Sequence, residues 1–174
     1  MQTSLFNSEA FDSGALFSPC RVWRYQLWRI WDKSKPALNV IGLNPSTADE
    51  TKDDPTIRRC INFAKSWNYG GLLMTNAFAF RATLPKDMRK AEDPIGPDNN
   101  YWLKETAASA GLVVAAWGTN GNFIERDKAI VAMITGMHCF RLSPKTRMPE
   151  HPLYLPGDLK PIIYRLADTY DNKT

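Results

Sequence analysis

Val40-Ile41-Gly42-Leu43-Asn44-Pro45-Ser46-Thr47-Ala48-Asp49 is an apolar run that stops abruptly at Gly, Asn and Pro, then passes into small hydroxyl residues and a carboxylate. The run predicts a buried strand bounded by a turn. Pro45 has no backbone N–H and cannot extend a strand ladder, so the chain turns there. The turn delivers Asn44, Ser46, Thr47 and Asp49 together at the carboxyl end of the strand. In open α/β sheets that edge is where ligands bind.

Outward from this point the same pattern recurs. Asp54-Pro55 predicts a helix start, with an N-cap carboxylate and a first-turn proline, and Ile57, Ile61 and Ala64 fall on one face. Gly70-Gly71 closes that helix and leads into a second buried strand, Leu72 to Thr75, which ends at Asn76-Ala77-Phe78. A helix is predicted from Asp98 to Ala110, a third strand from Leu112 to Trp117, a helix from Asn122 to Ile134 and a fourth strand from His138 to Leu142. Strand and helix alternating in this way predict an α/β protein: a three-layer α/β/α fold with a mostly parallel four-stranded sheet. Arg21 to Trp31 predicts an antiparallel edge strand, its aromatic residues read as a packing surface rather than a base-stacking platform. Residues 1–20 are expected to form an irregular arm, 21–174 a single domain, and Pro161 to Ala167 a helix or closing segment.

The composition is that of an ordinary globular chain. Of 174 residues, 44% are hydrophobic and 23% charged, so a packed core is expected and disorder is not. A net charge of +4 is compatible with a polyanionic partner without requiring one. Cys20, Cys60 and Cys139 are far apart and odd in number, which argues against a disulfide framework or a thiolate zinc site. With only His138 and His151, a histidine metal site is not expected either, and no cofactor is foreseen. The absence of a signal-like N-terminus and of a membrane span leads to the expectation of a cytoplasmic protein with no membrane partner, and a monomer is expected.

A parallel sheet would bring four loops to one edge: 44–53, 76–81, 118–120 and 143–155. Two resemblances rest on these loops. Gly42-Leu43-Asn44-Pro45, Gly71 to Asn76, Val113 to Gly118 and His151-Pro152-Leu153 resemble, in order, four motifs of the uracil-DNA glycosylase superfamily. Over most of the chain, Leu43–Asp49, Asp54–Arg59, Asn76–Thr83 and His151–Leu155 resemble the signature of domain-of-unknown-function family 1643, found in bacteria and phages. Two departures from the uracil-specific enzymes bound the first resemblance. Ser46 stands where they carry a bulky aromatic, which removes strict uracil selection, and Leu153-Tyr154-Leu155-Pro156 replaces their small-residue wedge.

The glycosylase resemblance implies a protein that recognises a nucleobase and hydrolyses the N-glycosidic bond of a non-canonical or modified base, in nucleic acid or a nucleotide, with DNA favoured. The alternative is a non-catalytic nucleotide or nucleic-acid binding module. Asn44 would orient water or a base edge; otherwise its amide holds the turn at Pro45. Asp49 would be the general base, or a loop cap. Asn76 would read a base edge with its donor and acceptor, and His151 would stabilise the departing base anion. Gly42, Pro45, Ser46 and Thr47 would line the substrate site, and Phe78 or Tyr154 would stack on a base or simply pack. Arg58 and Arg59, in the first turns of their helix, would bind phosphate; otherwise Arg58 pairs with Asp53 or Asp54 and stabilises the fold. Arg81, Lys145 and Arg147 are further phosphate candidates. This reading requires Asn44, Asn76 and His151 to line one pocket.

Overall fold

A computed structural model describes residues 11–170. The elements run in the order β1 (Asp12–Phe17), β2 (Arg24–Ile30), β3 (Ala37–Gly42), α1 (Pro55–Ser66), β4 (Gly71–Asn76), α2 (Pro85–Arg89), α3 (Asn99–Ser109), β5 (Leu112–Ala115), a 3₁₀ segment (Thr119–Glu125), α4 (Arg126–Met133), β6 (His138–Cys139), β7 (Ile162–Ile163) and α5 (Leu166–Tyr170). They build a mixed α/β fold around one seven-stranded sheet, ordered β1-β2-β4-β3-β5-β6-β7. β3 pairs in parallel with β4 and β5, and β5 in parallel with β6. β2 is antiparallel to both β1 and β4, and β7 is antiparallel to β6.

The interior strands are apolar on both sides because both faces are covered. Alternate residues separate cleanly: Val114 and Ala116 enter one core with Leu38, Val40, Leu72 and Met74, against Ile57, Cys60, Phe63 and Ala64 of α1. Val113, Ala115 and Trp117 enter the other, with Leu103 of α3 and Ile130 of α4. α1 begins where expected. The Asp54 carboxylate accepts from Ile57 N at 2.9 Å, and Pro55 occupies the first turn, where its missing N–H costs nothing.

The sheet is larger than the sequence predicts, with antiparallel strands added at both ends. Residues 12–17 of the expected irregular arm are β1, while 1–10 lie outside the described residues. β1 covers β2, so β2 is interior rather than an edge. Gly14 permits this pairing: a Cβ there would sit 2.1 Å from the Trp28 ring. The helix expected over Asn122 to Ile134 is broken at Ile124 and Glu125, both in the left-handed region at φ 47° and 55°. The break lets Arg126 turn inward, where Nε donates to Ala77 O at 2.7 Å and Nη2 to Asn100 Oδ1 at 2.7 Å. The fourth strand is shorter than predicted because the chain leaves the sheet after Cys139; Leu142 bridges to Pro149 instead. The closing segment supplies β7 against β6, then α5. Among the described residues no helix is long and apolar enough to cross a membrane.

Candidate functional site

β3 and β4 end side by side, Gly42 opposite Asn76. From that edge opens a basin of about 300 Å³, at the small end of the range for small-molecule sites. Its wall includes Gly42 to Thr47, Asn76, Asp54 to Ile57, Arg24, Ala82, Thr83, His151 and Leu153. Asn44 from the turn after β3, Asn76 at the end of β4 and His151 from a later loop thus share one cavity.

Asn76 is 2% exposed, and its Nδ2 has no hydrogen-bond partner. Its position depends on Gly42, since a Cβ there would lie 2.9 Å from Asn76 Oδ1 and 2.7 Å from Met74 Cε. The backbone carbonyl of Asn76 accepts from Asn99 Nδ2, which fixes the strand end from behind. A buried amide without partners is costly unless a ligand or water completes it.

His151 is held from the other side. Its Nδ1 accepts from Leu153 N at 3.2 Å. Burial lowers its pKa from the ordinary 6.5, against an opposing pull from Asp54, so the ring is neutral at pH 7. With Nδ1 accepting, the proton of the neutral ring is on Nε2, which makes that atom a donor. The loop is anchored to α1 by Arg59, whose guanidinium donates to Leu155 O and lies 5.0 Å over the Phe63 ring.

Asn44 lines the basin but has a second duty. Its Nδ2 donates to Ala82 O at 2.8 Å and Pro45 O at 3.2 Å, tying the turn after β3 to the loop after β4. Its amide hydrogens therefore serve the fold, which leaves Oδ1 for a ligand. Gly42, Pro45, Ser46 and Thr47 all contribute to the wall.

Other expected residues lie elsewhere. The Asp49 carboxylate accepts from Thr51 N at 3.0 Å and Lys52 N at 2.7 Å, which lowers its pKa and closes a tight turn outside the basin. Phe78 is fully buried, 5.7 Å from Phe123, and stacks within the core. Tyr154 is 93% exposed and not part of the wall. Arg58 Nη1 donates to Asp53 O, the fold-stabilising role, and like Arg59 stays outside the basin. Arg147 Nε donates to Asp168 O, and Lys145 is exposed; neither reaches the wall. Arg81 borders a shallower groove with Arg21, which meets the basin at Ser46, Ala82 and Thr83.

The basin also holds two ionisable groups whose role the sequence reading missed. Asp54, expected as a helix cap or an arginine's partner, is its carboxylate. Arg24 is its buried cation, 2% exposed, with Nη1 donating to Ala48 O at 2.9 Å and Nε without a partner. A signal existed for Arg24: an arginine at an inward position of a strand that also carries Tyr25, Leu27, Trp28 and Ile30 demands a partner. Among the described residues no group of three or more His, Cys, Asp or Glu is arranged to hold a metal ion.

The family described as "Protein of unknown function (DUF1643)" matches residues 24–153, a span that starts at the buried arginine and ends at Leu153 of the basin wall. No curated protein and no solved structure matches the chain.

Proposed function

The chain belongs to the DUF1643 family of proteins of unknown function, and from the chemistry of its basin we propose that it recognises a nucleobase there and hydrolyses its N-glycosidic bond. The observation that carries this reading is Asn76, an amide sealed in the back of the cavity with its Nδ2 unpaired. An amide presents a donor and an acceptor side by side, the complement of a pyrimidine or lactam edge. A buried polar group built to pair with such an edge discriminates strongly, because a ligand lacking the edge leaves the amide unsatisfied.

The glycosylase-like reading gains support from β4-β3-β5-β6, consecutive strands paired in parallel with helices on both faces. In the proposed reaction water attacks C1′ of the sugar, and the C1′–N bond breaks with its electron pair leaving on the base. His151 Nε2–H donates to the base oxygen that gains charge, a role a neutral imidazole fills. Asn44 Oδ1 orients the water, and Asp54, in place of Asp49, accepts its proton. DNA or a smaller nucleotide supplies the base.

A second reading, binding without turnover, is favoured by a specific observation. Asp54 Oδ1 already caps α1, and the Asn44 amide hydrogens already hold backbone carbonyls, so both groups have structural work. Incubation with oligonucleotides carrying uracil, hypoxanthine or bulky modified pyrimidines separates the two. Abasic sites that disappear with Asp54→Asn and His151→Ala support hydrolysis. Thermal stabilisation by nucleosides without abasic sites supports binding alone. If no base, nucleoside or oligonucleotide shifts the melting temperature or is cleaved, base recognition fails in both forms.

A further inference from the structure

We propose that Arg24 is the receptor for an oxyanion carried by the ligand of this basin, so that the ligand is an acidic derivative of a base: a nucleoside phosphate or a base carboxylate. This rests on the base-recognition reading for the other half of the ligand. β2 holds two buried arginines, Arg24 at 2% and Arg29 at 1% exposure. Arg29 Nε pairs with Asp53 at 2.8 Å, Nη1 donates to Gly14 O and Trp28 O, and Nη2 to Asp49 O and Lys52 O. Arg24 has one side-chain bond, from Nη1 to Ala48 O, while Nε has no partner. No carboxylate among the described residues lies within the 4.0 Å of an ion pair with it.

A buried charge is normally paired, since its lost hydration has to be replaced. Asp54 and Asp49 attract Arg24 from a distance, and Arg81 and Arg29 repel it. Burial pulls its pKa down to about 10, which still leaves the guanidinium charged at neutral pH. It faces the same cavity as Asn76, with Ser46, Thr47 and Thr56 as neutral hydroxyl neighbours and the first turn of the 12-residue α1 in the wall. Hydroxyls and a guanidinium are donors an oxyanion takes, and of the α1 first turn in the wall Thr56 N adds to them, since Pro55 has no N–H and Ile57 N is held by Asp54. Asp54 is the one carboxylate in this wall, and its Oδ1 is engaged by Ile57 N.

The test is calorimetric titration of the protein with nucleosides, their 5′-monophosphates, orotate, ribose 5-phosphate and inorganic phosphate, repeated on Arg24→Met and Arg24→Lys. The wild-type protein should bind an acidic form at least tenfold more tightly than its neutral counterpart. Arg24→Met should abolish that difference and Arg24→Lys keep part of it. A preference for monophosphates or for orotate identifies the oxyanion as phosphate or carboxylate. Equal binding of acidic and neutral forms by the wild-type protein overturns the proposal, as does a preference that survives Arg24→Met or a panel in which nothing binds. Should Arg24→Met not fold, the wild-type comparison and Arg24→Lys decide alone. Ribose 5-phosphate binding as tightly as any monophosphate leaves the oxyanion site standing and removes base recognition. Neutral nucleosides binding as well as monophosphates do the reverse.

Discussion

Arg29 and Arg24 lie five residues apart on β2, both sealed from solvent, and both reach into the loop that follows β3. Around Arg29 every side-chain nitrogen has a partner: four carbonyls and the Asp53 carboxylate. Around Arg24 one side-chain bond is made, Nε is buried without a partner, and the residue lines the basin. The loop divides in the same way. Its Asp49–Asp53 half is closed by its own turn and by Arg29, whereas its Gly42–Thr47 half opens onto unpaired polar atoms. Buried polarity therefore does two jobs in one small region. Where it is satisfied it holds the scaffold, and where it is not it marks the place for a ligand.

Substitutions can break this contrast. Arg29→Met should have the largest effect on stability, about 3–5 kcal/mol in urea unfolding, because it strands buried carbonyls and the Asp53 charge together. A loss below about 1 kcal/mol would show that Arg29 is no anchor. Asn76→Ala should weaken base binding by about 2 kcal/mol, roughly 30-fold, while unfolding moves little, since its amide nitrogen has no protein partner to lose. A large drop in stability with unchanged affinity would assign Asn76 to the fold instead.

Gly42→Ala should cost about 1 kcal/mol of stability and also lower affinity, because the new methyl presses on Met74 Cε and the Asn76 amide. Restored affinity in a double variant with a smaller residue at Met74 would identify that contact as the cause. Arg24→Met should change stability by less than about 1 kcal/mol, the lost bond to Ala48 O being offset by removal of an unpaired buried charge. Equal losses at the two arginines would erase the distinction between them.

The smallest expected effect is on pH dependence. The His151 pKa is lowered in the folded protein, so between its unfolded value near 6.5 and its folded value the unfolded chain binds the extra proton. Stability should fall as pH drops through that window, and His151→Gln should remove this part of the slope. Urea midpoints at neutral and mildly acidic pH, compared between the two proteins, measure it. An identical slope in both would mean that His151 is not desolvated.

The legible parts of the molecule share one property: their signals are local. Pro45 ends β3, Asp54-Pro55 opens α1, and Asn76 follows an apolar strand, each readable from neighbours in sequence. What escaped reading depended on distant partners. β1 lies in a polar stretch whose value as a strand comes from Gly14 receiving the Trp28 ring. The break at Ile124 and Glu125 has no Gly or Pro at those positions to announce it, and goes with the inward turn of Arg126 toward Ala77 and Asn100. Asp49 and Asp54 each accept from backbone N–H groups just after them, yet only Asp54 also lines the basin.

By itself the sequence determined where β3 and β4 stop, and hence that the Gly42–Thr47 turn and Asn76 meet at one edge; periodicity and turn residues act over a few positions and need no distant partner. Only the tertiary structure decided which polar groups remain free there. Asn44 gives its amide hydrogens to Ala82 and Pro45, Arg29 is saturated by Gly14 and Trp28 together with a loop 20–24 positions away, and Arg24 Nε and Asn76 Nδ2 are left without partners. Whether a buried donor finds an acceptor depends on which carbonyls the fold carries past it.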